Sequence, residues 1–362
     1  MVKSAYIHIP FCKQKCHYCS FVSFPHFEKK EQYLNALKKQ ISFEYKGEEL
    51  KTLYFGGGTP SLLTPDEIKN LIGMFNLASD AEITLELNPE TVNQEYFTEL
   101  AKTPINRLSI GSQSFDDNIL SLIGRRHKAE DIFRVVKEAR NARFENISLD
   151  FIYGLPTQSI ESFVEDLKTA TELGVEHISL YGLKIDDDCF FAKFPPKNIA
   201  DEDTQAQMYL NAIETLTKNG FKHYEISNFS RDDKYSRHNV TYWKNQEYYG
   251  FGLASHGYVN GVRYSNITEL SKYIDNPCQK DNEQTLSTQE KLEEEIFLGL
   301  RLVEGINIKE IEKKFNIDFC KKYSNILKKY EQEELLEMKS NFVKFSEQGF
   351  LVSNYILADF IE

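Results

Sequence analysis

Short apolar runs rich in β-branched and aromatic residues recur through the first half of the chain, and they predict strands at 5–9, 52–55, 82–87, 107–110, 147–152 and 177–181. Between these runs the spacing of apolar residues predicts helices at 29–44, 65–75, 94–101, 129–141 and 159–173, with another at 201–219 after the sixth strand. Thr64 before Pro65, and Ser159 with Ser162 close by, supply helix starts. Alternating strand and helix predicts an α/β chain of parallel strands joined by crossover helices, either closing into a barrel or lying in an open doubly wound sheet. Both arrangements put function at the strand C-termini. The polar and glycine-rich features at 12–19, 56–59, 86–89, 113, 150–154 and 181–182 fall just after the strands, so six strand ends point to one rim.

The pattern changes beyond about Phe229. An aromatic, glycine-containing stretch runs over 235–264, and the polar segment at 275–288 is the best linker candidate. Helices are expected at 288–302, 308–315 and 318–331, with 335–345 and 350–352 forming a small hairpin. Three helices and a hairpin describe a winged-helix-like appendage. The expected division is 1–230, 231–285 and 286–362. A packing or dimerisation module is preferred to DNA binding for the last part, because it carries no basic stripe.

Composition narrows the classes. With 41% hydrophobic and 27% charged residues the chain is neither disordered nor fibrous. No apolar run approaches the roughly 18 residues of a spanning helix, and the first ten residues lack a basic n-region and a long h-region, so a cytoplasmic protein is expected. Lys and Arg total 43 against 55 Asp and Glu, a net charge of −12 that repels phosphate backbones and anionic lipid. Nucleic acid is therefore not expected as a partner. The six cysteines stand at 12, 16, 19, 189, 278 and 320, three of them within eight residues, which points to a metal site and not to a disulfide framework.

Cys12, Cys16 and Cys19 are spaced C-x3-C-x2-C on the loop after the first strand. Four-iron clusters usually take four thiolates, so three would leave one iron open to a chelating molecule. The alternative is zinc, with His8, His17 or His26 as fourth ligand. Gly56, Gly57, Gly58 and Thr59 let backbone approach a ligand, or else form a tight turn. Glu86 and Asp150 can accept hydrogen bonds from ammonium or ribose hydroxyls, Gln113 can bond a carboxylate or an adenine edge, and Arg125 can pair a carboxylate.

At the cysteine loop, with Tyr18 before the third Cys, the chain resembles the radical S-adenosylmethionine (SAM) superfamily. The resemblance implies a partial (β/α)6 TIM-like barrel, a [4Fe-4S] cluster on the three cysteines, bound S-adenosylmethionine and an external low-potential electron donor. Read together, Tyr6–Cys12, Tyr54–Ser61, Gly111–Phe115, Gly124–His127 and Asp150–Pro156 are similar to the oxygen-independent coproporphyrinogen III oxidase family across nearly the whole chain. Carried over by motif, Tyr6, Gly57, Gly58, Thr59, Glu86, Gln113, Arg125 and Asp150 would surround S-adenosylmethionine, with Tyr18 and Gly182 beside them.

Two features depart from the decarboxylating oxidases: Phe21 stands where they carry a further Cys, and Cys12 arrives with no long segment before it. Both are shared with the HemW branch, as is the H-N-x-x-Y-W string from His238 to Trp243. That branch implies a haem chaperone that binds haem and passes it to apo-haem proteins of the respiratory chain, with membrane contact only through such partners. His238 is the residue offered for haem, and a structural His in an aromatic turn is the other reading. His256, in a second glycine-rich turn, is the next candidate. A catalyst converting porphyrinogen propionates to vinyl groups remains the alternative function.

Overall fold

The computed structural model describes residues 2–361. Six parallel strands, β1 (Ser4–Ile9), β2 (Leu50–Gly57), β3 (Leu77–Leu87), β4 (Arg107–Gln113), β5 (Ile147–Tyr153) and β6 (His177–Gly182), lie side by side in chain order. Helices Lys30–Glu44, Pro65–Ile72, Gln94–Leu100, Ala129–Asn141 and Ile160–Glu172 connect them, and Glu202–Lys218 follows β6. The parallel strands with crossover helices are those that the alternation predicted, and the partial barrel is the one that the resemblance implied. The strands run one to five residues longer than the apolar runs, because their ends carry the polar residues that hydropathy discounts.

The sheet continues past both ends of the six. Beyond β6 lie β8 (Asn228–Ser230) and then β7 (Lys222–Glu225), an antiparallel pair, and beyond β1 lies β9 (Tyr249–Phe251), parallel to it. These strands of three or four residues are too short for a two-residue period to register in the sequence.

The side-chain period across the sheet divides two environments. Ala5, Ile7 and Ile9, with Leu53, Phe55, Leu108, Ile110, Leu149, Phe151, Ile178 and Leu180, are buried against the helices. The alternate positions point inward and are polar: Ser4, Thr52, Glu82, Arg107, Ser148 and His177 at the strand starts, with Ser109, Asp150 and Ser179 farther along. Successive residues face opposite sides of a strand, so each strand is apolar toward its helices and polar toward the interior. The interior groups are hydrogen-bonded to one another. Ser148 Oγ lies 2.8 Å from His177 Nδ1, His177 Nε2 lies 2.8 Å from the Tyr224 hydroxyl, and Asp150 accepts from Ser109 and Ser148.

Two expectations from the second half are corrected. The segment 275–288 is no free linker: it contains β12 (Lys280–Thr285), which pairs antiparallel with β11 (Val262–Asn266), itself paired with β10 (His256–Val259). Its side chains are almost all exposed and polar, so only backbone pairing marks it as a strand. The hairpin is β14 (Leu336–Lys339) with β15 (Phe342–Phe345), and β13 (Ile306–Asn307) joins β15. Ser340 and Asn341 both take positive φ, as a two-residue hairpin turn requires. Phe350 lies instead in the helix Glu347–Leu351 and packs edge-on against Phe345, so its apolarity serves packing and not pairing. With helices Thr288–Gly299, Ile308–Phe315 and Ser324–Gln332 this gives the winged-helix-like unit. No helix among the described residues is long and apolar enough to cross a membrane.

Candidate functional site

The loop after β1 is closed by its own backbone. Cys12 N–H donates to Phe24 O (3.1 Å) and Phe24 N–H to Pro10 O (2.7 Å), so the ends of the cysteine loop meet. Its middle is fastened to the C-terminal end of the short helix Asp117–Leu122: His17 N–H reaches Ile123 O at 3.0 Å, and His17 Nδ1 donates to Leu122 O at 2.9 Å. The His17 ring lies over Gly124, at positive φ, where an added Cβ would come within 2.9 Å of it. A side chain there would push the loop off its support. Phe190 stacks on the His17 ring at 4.5 Å, and Tyr18 packs on a small apolar cluster that includes Leu183 and Phe191.

The three cysteine side chains line a cavity of about 430 Å³ at the strand C-termini. Tyr18, Gly57, Gly58 and Thr59 share its wall, and so do Glu86, Gln113, Arg125, Asp150 and Gly182. Twelve of the residues named from the sequence are thus brought to one cavity, drawn from all six strands and the loops after them. Its lining includes no histidine. His8 bonds Val22 O and the Tyr6 hydroxyl, His17 bonds Leu122 O, and His26 pairs with Glu28 at the surface. Among the described residues no three His, Cys, Asp or Glu side chains are grouped to hold one metal ion. None of the three histidines offered to zinc lines the cavity.

Polar contacts tie the cysteines to the cradle. Cys12 Sγ is 3.4 Å from Thr59 Oγ1, which accepts from Asn88 Nδ2 at 3.1 Å. Arg125 reaches Asn88 Oδ1 (2.9 Å), Cys16 Sγ (3.6 Å) and the Gly111 carbonyl. Burial pushes the Cys12 thiol up and the Cys19 thiol to about 11, so the metal-free site holds them protonated, a cost that metal ligation reverses.

The glycine triplet is tied to the neighbouring strand. The Gly57 N–H is not bare: it donates to Glu86 Oε2 at 3.1 Å. Gly57 sits at positive φ with the His8 ring where a Cβ would be, so here the chain itself makes the close approach. Glu86 Oε1 accepts from the Tyr54 hydroxyl at 2.9 Å. Burial, with the charge of Asp150 adding, outweighs these bonds and pushes the Glu86 carboxyl up to about 7. Burial likewise raises Asp150, against the serines that bond it.

Tyr6 and His238 are not at the cavity wall. Tyr6 lies one layer below, its ring 6.1 Å from Tyr54. His238 is 1% exposed, with Nδ1 2.8 Å from Thr52 Oγ1 and Nε2 2.7 Å from the Tyr242 hydroxyl. Both nitrogens that could meet iron are engaged, which is the structural reading of that residue. Burial, followed by the charge of Arg107, pushes its pKa to about 3, so the ring is neutral. His256 is exposed on β10, outside the cavity lining. Tyr54 and Asn88 were missed by sequence reading. Tyr54 was accessible through parity, since it shares a strand face with Gly56, while Asn88 carried no signal beyond following Glu86.

A radical SAM superfamily model matches residues 6–170, and a HemN C-terminal domain model matches residues 286–352. The chain is 36% identical to the heme chaperone HemW of Bacillus subtilis, covering 99% of each chain. It is 36% identical to that of Lactococcus lactis over 99% of this chain and 97% of the relative, and 37% identical to that of Escherichia coli over 71% and 70%. Among solved structures, coproporphyrinogen III oxidase (HemN) of Escherichia coli superposes with a TM-score of 0.87 at 23% identity, covering 99% of this chain and 90% of that one, a likeness of fold.

Proposed function

Because the chain belongs to the HemW family within the radical SAM superfamily, we propose that it is a haem chaperone, binding haem and delivering it to apo-haem proteins of the respiratory chain. The observation that carries this reading is similarity along the entire length to proteins of that name, at 36% identity over 99% of the chain. Division at about 230 and 285 is the reading adopted for its parts.

The residues fit the cofactors that the superfamily implies. Three free thiols on one pinned loop share a cavity with two half-buried carboxylates, a guanidinium and a glycine edge. Cys12, Cys16 and Cys19 would hold a [4Fe-4S] cluster, and three thiolates leave one iron open. Glu86, Gln113, Arg125, Asp150 and the Gly57–Thr59 edge would surround S-adenosylmethionine, with Tyr18 and Gly182 at its margin and Tyr6 behind. When bound and reduced from an external low-potential donor, the cluster supplies an electron to the sulfonium. Around it, Glu86 offers a carboxylate to the ammonium group, the Asp150 carboxylate offers acceptors to ribose hydroxyls, and the apolar packing of Tyr18 keeps water from one side of the cysteine loop.

Phe21 favours the chaperone reading over porphyrinogen decarboxylation. It is 66% exposed at the cavity mouth, where the oxidases carry a further Cys. The test is anaerobic reconstitution followed by haem titration and a coproporphyrinogen assay on one sample. Retained haem that passes to an apo-haemoprotein, with no decarboxylated product, is expected. Formation of protoporphyrinogen with no haem retained on gel filtration would reverse the assignment.

A further inference from the structure

The helix Arg237–Trp243 closes the end of the barrel opposite the cavity. Its hydrogen bonds into the barrel reach three strands ahead of their C-terminal ends: Thr241 meets Ser4 on β1 at 3.1 Å, His238 meets Thr52 on β2, and Glu82 on β3 accepts the backbone N–H groups of Arg237 and His238 at 3.1 and 3.0 Å. The His238 ring is thereby driven into the barrel interior and held at both nitrogens. What remains is its flat face, and that face lies 5.1 Å from the Tyr54 ring at an angle of 28°. The Tyr54 hydroxyl donates to Glu86, whose other oxygen takes the Gly57 N–H.

The order of support runs from the helix to the cavity. Glu86 is fixed by Tyr54, and the Tyr54 ring meets the Tyr6 and His238 rings in a triangle, the latter two being 6.5 Å apart. A tyrosine with a gap on one side would let its hydroxyl, and the carboxylate bonded to it, leave a productive geometry that tolerates only small displacement. We propose that His238 is a positioning residue for the S-adenosylmethionine cradle, acting through Tyr54 on Glu86, and not a group that touches haem. This rests on the reading that the cavity takes S-adenosylmethionine.

The experiment measures S-adenosylmethionine binding by calorimetry and haem uptake by absorbance on the same anaerobically reconstituted samples. Tyr54→Phe and His238→Ala are each expected to weaken S-adenosylmethionine binding by about tenfold and to leave haem uptake unchanged. The double variant should bind no more weakly than the worse single one, because both act along one line of contact. His238→Phe, which restores a ring behind Tyr54, should recover binding. Undiminished S-adenosylmethionine binding by His238→Ala, with haem uptake lost, would overturn the proposal while leaving the function reading intact. An unaltered chain that takes up no S-adenosylmethionine would bring down both. Should His238→Ala fail to fold, His238→Leu decides: it keeps apolar bulk and removes the flat ring behind Tyr54, so severalfold weaker S-adenosylmethionine binding with haem uptake kept upholds the proposal and unchanged binding overturns it.

Discussion

The Glu82 carboxylate accepts the backbone N–H of His238 at 3.0 Å across 156 residues of sequence. Through this bond a strand at the heart of the barrel and a helix from the chain's second half become one unit. Glu82 also takes the Arg237 N–H, and its charge supports the fully buried Arg107 guanidinium.

Glu82→Ala should therefore cost more than a lost helix cap. It strands two N–H groups and removes an anion from beside a buried cation, a loss of about 3 kcal/mol or more. Glu82→Gln keeps an acceptor and should cost less. Urea unfolding of the two variants checks the order, and equal midpoints would show that Arg107 does not depend on this charge.

Glu86 gives the metal-free protein a pH dependence of known sign. Its folded pKa of about 7 lies above the ordinary carboxylate value, so the folded chain keeps a proton that the unfolded chain releases. Its cost to stability grows as pH rises from about 4.5 to about 7 and is constant above that. Glu86→Gln should gain stability over the unaltered protein between pH 5 and pH 8, by about 2–3 kcal/mol. A difference independent of pH would mean that Glu86 ionises normally.

Replacing Cys12, Cys16 and Cys19 with Ala should abolish iron uptake on reconstitution, whereas Ala at Cys189, Cys278 and Cys320 should leave it intact. The second trio does not line the cavity, and its members stand apart in the fold. Iron analysis and visible absorption distinguish the two sets. Equal iron in both would remove the loop as the cluster site.

Arg125 contacts Asn88, Cys16 and Gly111 together. Arg125→Lys keeps the charge and loses the fork, so it should not restore what Arg125→Ala removes, a contribution of about 1.5–3 kcal/mol to S-adenosylmethionine binding. Calorimetry showing full recovery by Lys would reduce the role of Arg125 to its charge alone.

Much of the site was legible because its residues are tied to local pattern. Cys12, Cys16 and Cys19 form a short motif after a strand, Gly57, Glu86, Gln113 and Gly182 each lie at or next to the end of one, and Asp150 lies three residues before the end of another. In a parallel barrel all such ends share a rim, so finding the strands located the residues. Asn88 escaped because nothing in its neighbourhood separates it from an ordinary loop residue, and Tyr54 because its one signal was parity with Gly56 along the strand. His238 was recognised by motif, but its place was not. The motif says which residues occur together and nothing about which way they face.

The sequence by itself determined the alternation of strand and helix, the cysteine loop and the rim on which the polar residues gather, because these follow from periodicity within about twenty residues. Only the tertiary structure decided that the barrel interior is polar, that β12 is a strand, that Gly57 gives its N–H to Glu86, and that His238 backs Tyr54 from the far end. Each of those relations joins residues 29 or more apart, or depends on backbone pairing that side-chain hydropathy does not encode. Burial and hydrogen bonding across such distances are settled when the sheet curls and the helix closes it.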